Sequence, residues 1–269
     1  MAGALDGIGR LLLLGCGKMG GAMLAGWLTG GLAPGRVTVL DPAPSDWLKA
    51  QEGLVLNPPE PERPDIAILA VKPQVMGDAA PRLAAFGGGG TLFISIAAGT
   101  PISAFEAVFG AKSPVVRAMP NTPAAIGQGI SAIIGNGAVT EAHLETTEAL
   151  LAAVGDTVRL ESEDQMDAVT GLSGSGPAYV FHLIEAMAAA GEAEGLAPEL
   201  AMRLARATVS GAGALAAASD EPAGVLRQNV TSPGGTTAAG LSVLMLELQA
   251  LMTRTVAAAA NRGRELSAS

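Results

Sequence analysis

The sequence predicts an α/β protein in two parts: a doubly wound, mostly parallel sheet followed by an all-helical domain. Short apolar runs alternate with helical stretches from Arg10 to about Leu160, and strand-like runs are absent from the sequence after that point. The core must be mainly aliphatic, because 49% of the 269 residues are hydrophobic but only 3% are aromatic. We place the domain boundary at this change of pattern, which gives domains 1–160 and 161–269.

Five strands are expected in the first domain. Each is a nearly continuous hydrophobic run bounded by Gly, Pro or Asp, as is typical of strands that are buried on both faces. The segments between these runs are long enough for the crossover helices that parallel strands require. The expected strands are Leu11–Leu14, Val37–Leu40, Ile66–Leu69, Thr91–Ser95 and Val115–Ala118.

The second domain is expected to consist of Ala-rich helices. Apolar residues recur at helical spacing in three segments, Ala178–Ala193, Pro198–Ala218 and Leu241–Arg264. A small Ala-rich helical domain has a thin core, so we expect it to bury a face against a second copy of the chain, in a homodimer or an assembly of dimers. Burial of these faces within one chain is the alternative.

Charge, cysteine content and hydropathy argue against several classes of protein. The net charge is −9 and no basic run is present, which disfavours a nucleic-acid partner. A single cysteine cannot form an internal disulfide. The segment 1–10 resembles neither a signal peptide nor a transit peptide. Lysine and glycines interrupt Leu11–Leu32, and glycines and proline interrupt Ala84–Phe105, so we expect no membrane span there and a cytoplasmic protein.

The segment Gly15–Gly20 matches the motif G-x-G-x-x-G. It follows the strand-like run that ends at Leu14, and it opens a helical pattern, which is the context of a Rossmann-type dinucleotide site. Gly15 permits the tight turn, Gly17 lets backbone N–H groups approach a pyrophosphate, and Gly20 lets the helix pack closely on the strand. A strand-to-helix turn that binds no ligand is the alternative.

Asp41 follows the second strand-like run directly. It lies about 20 residues after Gly20, where this class of site carries an acid for the adenosine ribose. An acid there favours NAD, because the 2′-phosphate of NADP would meet like charge. If Asp41 and Pro42 only begin a turn, the identity of the cofactor stays open.

Two further segments are expected at the carboxyl edge of the sheet. Ala70–Pro73 follows one strand-like run and Ser95–Gly99 ends the next, and ligands of this architecture bind at that edge. The small residues there leave room for a nicotinamide ring. Lys72 is either part of this site or a solvated lysine at the end of a strand.

The helical half contains two clusters of small residues, Gly171–Pro177 and Asn229–Thr237, each before a helix. Both have the pattern of helix amino termini with Ser, Thr or Pro in capping positions. Two glycine-rich helix ends with exposed N–H groups would bind a small carboxylate. Ordinary capping is the alternative.

At these residues the sequence resembles the pyrroline-5-carboxylate reductase family. The resemblance runs essentially end to end and includes Arg117–Pro123, and the segments Asp167–Pro177 and Asn229–Thr237 are specific to that family. It implies a dinucleotide-binding domain followed by a helical dimerisation domain. It also implies hydride transfer from NAD(P)H to the C=N bond of 1-pyrroline-5-carboxylate, giving L-proline in the last step of proline biosynthesis.

The motifs and the resemblance together give the expected site residues, and no metal is expected. The cofactor contacts are Leu14, Gly15, Cys16, Gly17, Lys18, Met19, Gly20, Asp41, Asn57, Ala70, Val71, Lys72, Pro73 and Ala98. The substrate contacts are Glu163, Ser173, Gly174, Ser175, Asn229, Thr236 and Thr237. The resemblance implies that Thr237 reaches the ring nitrogen and that Ser175 helps to hold the carboxylate. The cyclic imine is basic enough to acquire its own proton, so no strong acid is required.

The chain departs from the family pattern at two places. Asp41-Pro42 stands where many NADPH-using members carry Ser, Thr or Arg, so NADP(H), implied by the resemblance, competes with NAD(H), favoured by Asp41. The segment Leu241–Glu247 also lacks the short glycine-containing break expected between the last two helices. That departure concerns the packing of the dimer.

Two other functions remain as alternatives. A β-hydroxyacid dehydrogenase has a similar glycine loop, but it needs a lysine on the long helix after the first domain, and residues 161–197 contain no Lys or Arg. The intact Ser, Thr and Asn positions in the substrate segments argue against a non-catalytic, dinucleotide-sensing regulator. The two histidines, His143 and His182, are expected to be structural.

Overall fold

The computed structural model describes Leu5 and residues 7–268. These contain one eight-stranded sheet with the strand order β3-β2-β1-β4-β5-β6-β7-β8, in which every neighbouring pair is parallel except β6 and β7. The strands are β1 Leu11–Leu14, β2 Val37–Leu40, β3 Val55–Leu56, β4 Ile66–Leu69, β5 Leu92–Ser95, β6 Val115–Met119, β7 Gly129–Gly135 and β8 Gly155–Arg159.

Helices connect the strands and form the rest of the chain. Six α-helices lie before Gly174 and four after it in the described residues. Their bounds are α1 Lys18–Thr29, α2 Asp46–Lys49, α3 Pro73–Ala79, α4 Ile102–Phe109, α5 Glu141–Leu151, α6 Met166–Val169, α7 Gly176–Ala193, α8 Pro198–Ala217, α9 Ala223–Asn229 and α10 Thr236–Ala268. The predicted fold class, a mostly parallel α/β sheet followed by helices, is confirmed.

The expected strands form within one residue of their predicted bounds, because both faces of the sheet are covered. Leu11 and Leu13 belong to one hydrophobic core, while Leu12 and Leu14 belong to the other. Successive side chains of a strand point to opposite faces, so a strand buried on both faces is apolar throughout. Strands β3, β7 and β8 were not predicted.

Trp27 anchors helix α1 on the sheet. Its side chain is fully buried, and its Nε1 donates a hydrogen bond of 2.8 Å to the carbonyl oxygen of Leu150 in α5. Because a buried indole N–H needs an acceptor, this bond fixes α1 relative to α5. The amino terminus of α1, directly after the glycine loop, is thereby held in place.

The chain divides into two compact units. One contains the sheet, runs to Gly174 and also includes the chain from Ala259 onward, and the other spans Ser175–Ala258. Strand β8 ends at Arg159, and the domain boundary predicted after residue 160 stays a prediction.

The second unit has a small core of its own. Ala188, Ala201 and Ala205 are buried between α7 and α8, with Ile184 partly buried beside them. Large apolar side chains on these helices and on α10 remain exposed. They include Phe181, Leu183, Leu200, Leu204, Val243, Leu244, Met245, Leu246, Leu248 and Leu251. Such a surface is typical of a site of protein association.

Helix α10 runs through Leu241–Glu247, the segment that lacks the glycine-containing break of the family pattern, without interruption. Thr236–Ser267 is long and apolar enough to cross a membrane, judged by length and composition, and 6% of its most apolar window is buried within the chain. This segment is not one of the two stretches, Leu11–Leu32 and Ala84–Phe105, that were weighed as membrane spans from the sequence.

Candidate cofactor and substrate site

The carboxyl ends of four strands are level, and this brings the predicted cofactor segments to one edge of the sheet. Leu14 of β1 lies opposite Leu40 of β2 and Leu69 of β4, and Leu69 lies opposite Ser95 of β5. The glycine loop, Asp41, Ala70–Pro73 and Ile96–Ala98 each follow one of these residues. The edge is therefore composed of segments that are far apart in the sequence.

The geometry of the loop requires its glycines. Gly15 has φ +91°, and a Cβ there would lie 2.8 Å from Val71 Cγ1 and 3.0 Å from the carbonyl carbon of Ala70. A Cβ at Gly20 would overlap the carbonyl oxygen of Gly15, so α1 can approach the loop only without a side chain there. Around Gly17, by contrast, no atom lies within 4 Å of the Cβ position.

The amino terminus of α1 is open to a ligand. Gly17 is the N-cap, no side chain caps the helix, and its first turn carries no acidic residue. The first N–H groups of a helix and its dipole attract an anion. Lys18 and Lys72 are both exposed at this edge. The arrangement is suited to a pyrophosphate.

Asp41 lies beside the glycine loop and is held on both carboxylate oxygens. Its Oδ2 accepts a hydrogen bond of 2.7 Å from the N–H of Cys16, and its Oδ1 accepts one of 2.8 Å from the N–H of Ala43. The side chain of Asn57 pairs with both backbone groups of Asp41, at 2.9 and 2.8 Å. Asp41 thus begins a turn and also contacts the loop, while its contact with an adenosine ribose stays a prediction.

Cys16 is a neutral thiol in this loop. It is 8% exposed, and burial raises its pKa to about 11, with the nearby Asp41 carboxylate adding to the shift. Both effects disfavour the thiolate, which is the nucleophilic form. The side chain of Cys16 therefore contributes packing, while its backbone N–H contacts Asp41.

Two hydrogen bonds hold the side chain of Glu163 in the sheet-containing unit. It begins a 3₁₀ turn, Glu163–Gln165, and its Oε1 accepts hydrogen bonds from Arg117 Nη1 at 2.7 Å and from the N–H of Ile102 at 2.9 Å. Arg117 is buried within β6. Sequence reasoning included Arg117 only as part of a family motif, although a charged residue within an apolar strand run already indicates a specific partner.

Ser173 and Gly174 lie in a π-helical turn, Thr170–Gly174, a geometry that is frequent at functional sites. Asn121 Nδ2 donates to Ser173 Oγ at 3.3 Å. Ser175 is the N-cap of α7 and Pro177 lies in the first turn, as the pattern of a helix amino terminus predicted, but the Ser175 side chain accepts no capping hydrogen bond, so the alternative of ordinary capping does not hold there. The hydroxyl is free of that role because Ser175 has a helical backbone conformation, whereas a capping serine is extended.

The remaining substrate residues lie in the helical unit. Asn229 ends α9 and donates to Glu221 Oε2 at 3.1 Å, while Thr236 and Thr237 begin α10 with exposed side chains. Gly234, with φ +71°, forms the turn before them. The meeting of these residues with Glu163 and Ser173 in one site stays a prediction.

The histidines take part in local contacts within their helices. His143 Nδ1 accepts from the N–H of Thr140 in the capping box of α5, and His182 contacts Glu185 one turn later on the exposed side of α7. Within the described ranges, no group of three or more His, Cys, Asp and Glu side chains could hold a metal ion. The expectation that the chain needs no metal stays a prediction.

Two family models match the chain. Residues 163–266 match "Pyrroline-5-carboxylate reductase dimerisation", and residues 10–99 match "NADP oxidoreductase coenzyme F420-dependent". The pyrroline-5-carboxylate reductase of Pseudomonas aeruginosa is 38% identical over 96% of this chain and 97% of its own length. The corresponding protein of Synechocystis is 38% identical over 96% of this chain and 98% of its own.

Solved structures of pyrroline-5-carboxylate reductases are also similar to this chain. A pyrroline-5-carboxylate reductase from Coxiella burnetii superimposes with a TM-score of 0.90 at 34% identity, covering 96% of this chain and 98% of that one. A pyrroline carboxylate reductase from Plasmodium falciparum with NADP bound superimposes with a TM-score of 0.81 at 28% identity, covering 97% and 99% of the two chains.

Proposed function

The chain belongs to the pyrroline-5-carboxylate reductase family, and from this premise we propose that it transfers a hydride from NAD(P)H to the C=N bond of 1-pyrroline-5-carboxylate, giving L-proline. One observation carries the proposal. The same chain holds an open dinucleotide loop, Gly15–Gly20, and the two small-residue segments, Gly171–Pro177 and Asn229–Thr237, that are specific to the family. The enzyme is an NAD(P)H-dependent oxidoreductase.

The residues at the carboxyl edge fit the cofactor. NADP in the Plasmodium falciparum structure supports NADP(H) as the cofactor of this chain. Backbone N–H groups at the start of α1 would bind the pyrophosphate in the open space beside Gly17, and Asp41 and Asn57, which bond to each other, would hold the adenosine ribose. The segments Ala70–Pro73 and Ile96–Ala98 line the nicotinamide end. When bound, the reduced nicotinamide supplies the hydride.

The substrate residues hold and orient the imine. Ser173, Gly174, Ser175 and Thr236 bind the carboxylate through hydroxyl and backbone N–H groups, and Thr237 Oγ1 forms a hydrogen bond with the ring nitrogen. Asn229 and Glu163 complete this set. The imine takes its proton from solvent, so the contribution of the protein is to place the ring and to exclude water around it.

A substitution at Thr237 tests this assignment. In an assay that follows NADPH oxidation, Thr237→Ala should lower kcat with 1-pyrroline-5-carboxylate while the Kd for NADPH stays within twofold of wild type. Thr253→Ala is the matched control, because Thr253 lies on the same helix and its hydroxyl bonds only to the carbonyl oxygen of Gln249 among the described residues. A wild-type protein that does not oxidise NADPH in the presence of this substrate would remove the proposed function.

The helical part supports a homodimer. The dimerisation model matches residues 163–266, and α10 exposes six large apolar side chains between Val243 and Leu251. We assign this exposed segment of α10, Val243–Leu251, to the contact with a second copy of the chain, and not to a lipid bilayer. A homodimer with no nucleic-acid or membrane partner, located in the cytoplasm, completes the proposal.

A further inference from the structure

Three residues at every second position, two in strand β6 and one just beyond it, contact the segment 163–174. This segment contains three of the proposed substrate residues. Arg117 binds Glu163, and Asn121 binds Ser173. Between them, Met119 packs so closely on Gly174 that a Cβ there would lie 2.5 Å from the Met119 Cε. Side chains two residues apart project from the same face of a strand, so one face of β6 supports the segment 163–174.

In the ion pair between Arg117 and Glu163, Arg117 is buried and Glu163 is partly exposed to solvent. The side chain of Arg117 is 5% exposed, between Ser95 of β5 and Ile134 of β7 in the register of the sheet, while that of Glu163 is 31% exposed. Removing a guanidinium from water is costly, so the buried cation firmly holds Glu163, its one charged partner among the described residues.

Only one of the two carboxylate oxygens of Glu163 accepts hydrogen bonds from the described residues. Both the Arg117 guanidinium and the N–H of Ile102 bond to Oε1, and Oε2 has no hydrogen-bond partner in the part of the chain that the structure describes. The carboxylate is therefore fixed in position by Oε1 and presents Oε2 as a free acceptor. The protonated ring nitrogen carries a single N–H, which Oε2 accepts jointly with Thr237 Oγ1.

Asn121 prepares Ser173 as a donor. Asn121 Oδ1 accepts from the N–H of Ile130 at the start of β7, which fixes the amide so that Nδ2 points at Ser173 Oγ. Since the Oγ accepts this bond, the hydroxyl proton of Ser173 is free to donate elsewhere. A substrate carboxylate is the acceptor that this arrangement fits.

We propose that Arg117 and Asn121 are positioning residues, which fix Glu163 as an acceptor and Ser173 as a donor before the substrate binds. This inference rests on the proposed function, because it takes Glu163 and Ser173 as substrate contacts. Neither Arg117 nor Asn121 touches the substrate; each acts through its partner. Preorganised partners lower the ordering cost of binding, so the effect falls on substrate affinity.

The test separates substrate binding from cofactor binding. We expect Arg117→Met to raise the KM for 1-pyrroline-5-carboxylate at least tenfold and Asn121→Ala to raise it at least threefold, with the Kd for NADPH within twofold of wild type. Arg117→Lys should recover part of the loss, because it keeps the cation but loses the guanidinium geometry. The double variant Arg117→Met/Glu163→Gln should have a KM within twofold of that of Glu163→Gln alone.

Arg159→Met is the matched control. Arg159 lies in β8 of the same sheet, and among the described residues it pairs with Glu141 and Glu148 and not with Glu163. We expect its KM and Kd to stay within twofold of wild type.

Three results would overturn the inference: an unchanged KM in folded Arg117→Met and Asn121→Ala, an equal loss of NADPH affinity in both, or additive effects in the double variant. If Arg117→Met does not fold, Arg117→Lys and Asn121→Ala decide. An inactive wild type removes the proposed function instead, so the two failures are distinguishable.

Discussion

Two glycines of the cofactor loop respond differently to the same added methyl group. At Gly17 the φ is −71° and no atom lies within 4 Å of the Cβ position, so Gly17→Ala leaves the fold unstrained. The methyl group would occupy the open space in which we place the pyrophosphate. At Gly15 the φ is +91° and the Cβ would lie 2.8 Å from Val71 Cγ1, so Gly15→Ala strains the native structure itself.

These distances give the expected magnitudes. For Gly15→Ala, a left-handed backbone costs about 1–3 kcal/mol and overpacking about 1–3 kcal/mol, so the free energy of unfolding should fall by about 2–6 kcal/mol. For Gly17→Ala it should stay within about 0.5 kcal/mol of wild type. The loss of one charge-assisted N–H contact to the pyrophosphate is worth about 1.5–3 kcal/mol, which raises the Kd for NADPH by roughly 10- to 100-fold.

Thermal unfolding and calorimetric titration with NADPH measure the two effects on the same samples. Gly137→Ala is the control, since Gly137 is exposed, has open space around its Cβ position and lies in the connection between β7 and α5. It should change neither quantity. If Gly17→Ala keeps both the wild-type Tm and the wild-type Kd, the open end of α1 does not bind the pyrophosphate and the reasoning is refuted.

Three further predictions concern specificity, reactivity and assembly. Asp41→Ser should raise the ratio of kcat/KM for NADPH to that for NADH about tenfold, because a carboxylate beside the 2′-phosphate repels it by about 1 kcal/mol or more per charge pair. Because the pKa of Cys16 is raised from 9.0 to about 11, the thiol stays neutral up to that pH. Its alkylation at pH 8 should be about 100-fold slower in the folded protein than in urea, and should accelerate as the pH rises towards 11. Leu246→Glu, at an 81% exposed position of α10, should shift the mass measured by light scattering from dimer towards monomer.

Each of these predictions has a control and a contradicting result. Asp156→Ser, on exposed β8, should leave the cofactor ratio unchanged, and an equal change in both variants would remove Asp41 from cofactor selection. Equal alkylation rates in the folded and unfolded chain would contradict the raised pKa of Cys16. Trp47→Glu, at a 43% exposed position of α2, should leave the mass unchanged, and a Leu246→Glu variant that remains a dimer would exclude the position of Leu246 on α10 from the interface.

The sequence predicted five strands that are buried on both faces, and it missed the exposed strand β8, the two-residue β3 and also β7, which is mostly buried. Leu11–Leu14 and Ile66–Leu69 are apolar at every position because helices cover both sides of the sheet. Strand β8 lies at the edge, and its Asp156, Val158 and Arg159 are exposed, so it has no apolar run. Burial, and not strand propensity, created the signal that could be recognised.

In the candidate site, local motifs could be predicted from the sequence, but contacts between distant residues could not. A motif of local spacing, such as Gly15–Gly20, is visible in the sequence because its function depends on neighbouring residues. The pairing of Arg117 with Glu163 joins residues 46 positions apart, and the contact of Asn121 with Ser173 joins residues 52 apart. No periodicity relates such residues, so only the packing of β6 against the segment 163–174 reveals these contacts.

The burial of Trp27 gives the protein an optical reporter at a useful place. The chain has two tryptophans, and Trp27 is fully buried in α1 while Trp47 is 43% exposed in α2. Their indoles should emit at different wavelengths, with Trp27 blue-shifted by its dry surroundings. A Trp47→Phe variant would leave a single emitter on the helix that begins at the cofactor loop. Quenching of that emission through energy transfer to reduced nicotinamide would report cofactor occupancy without any added label.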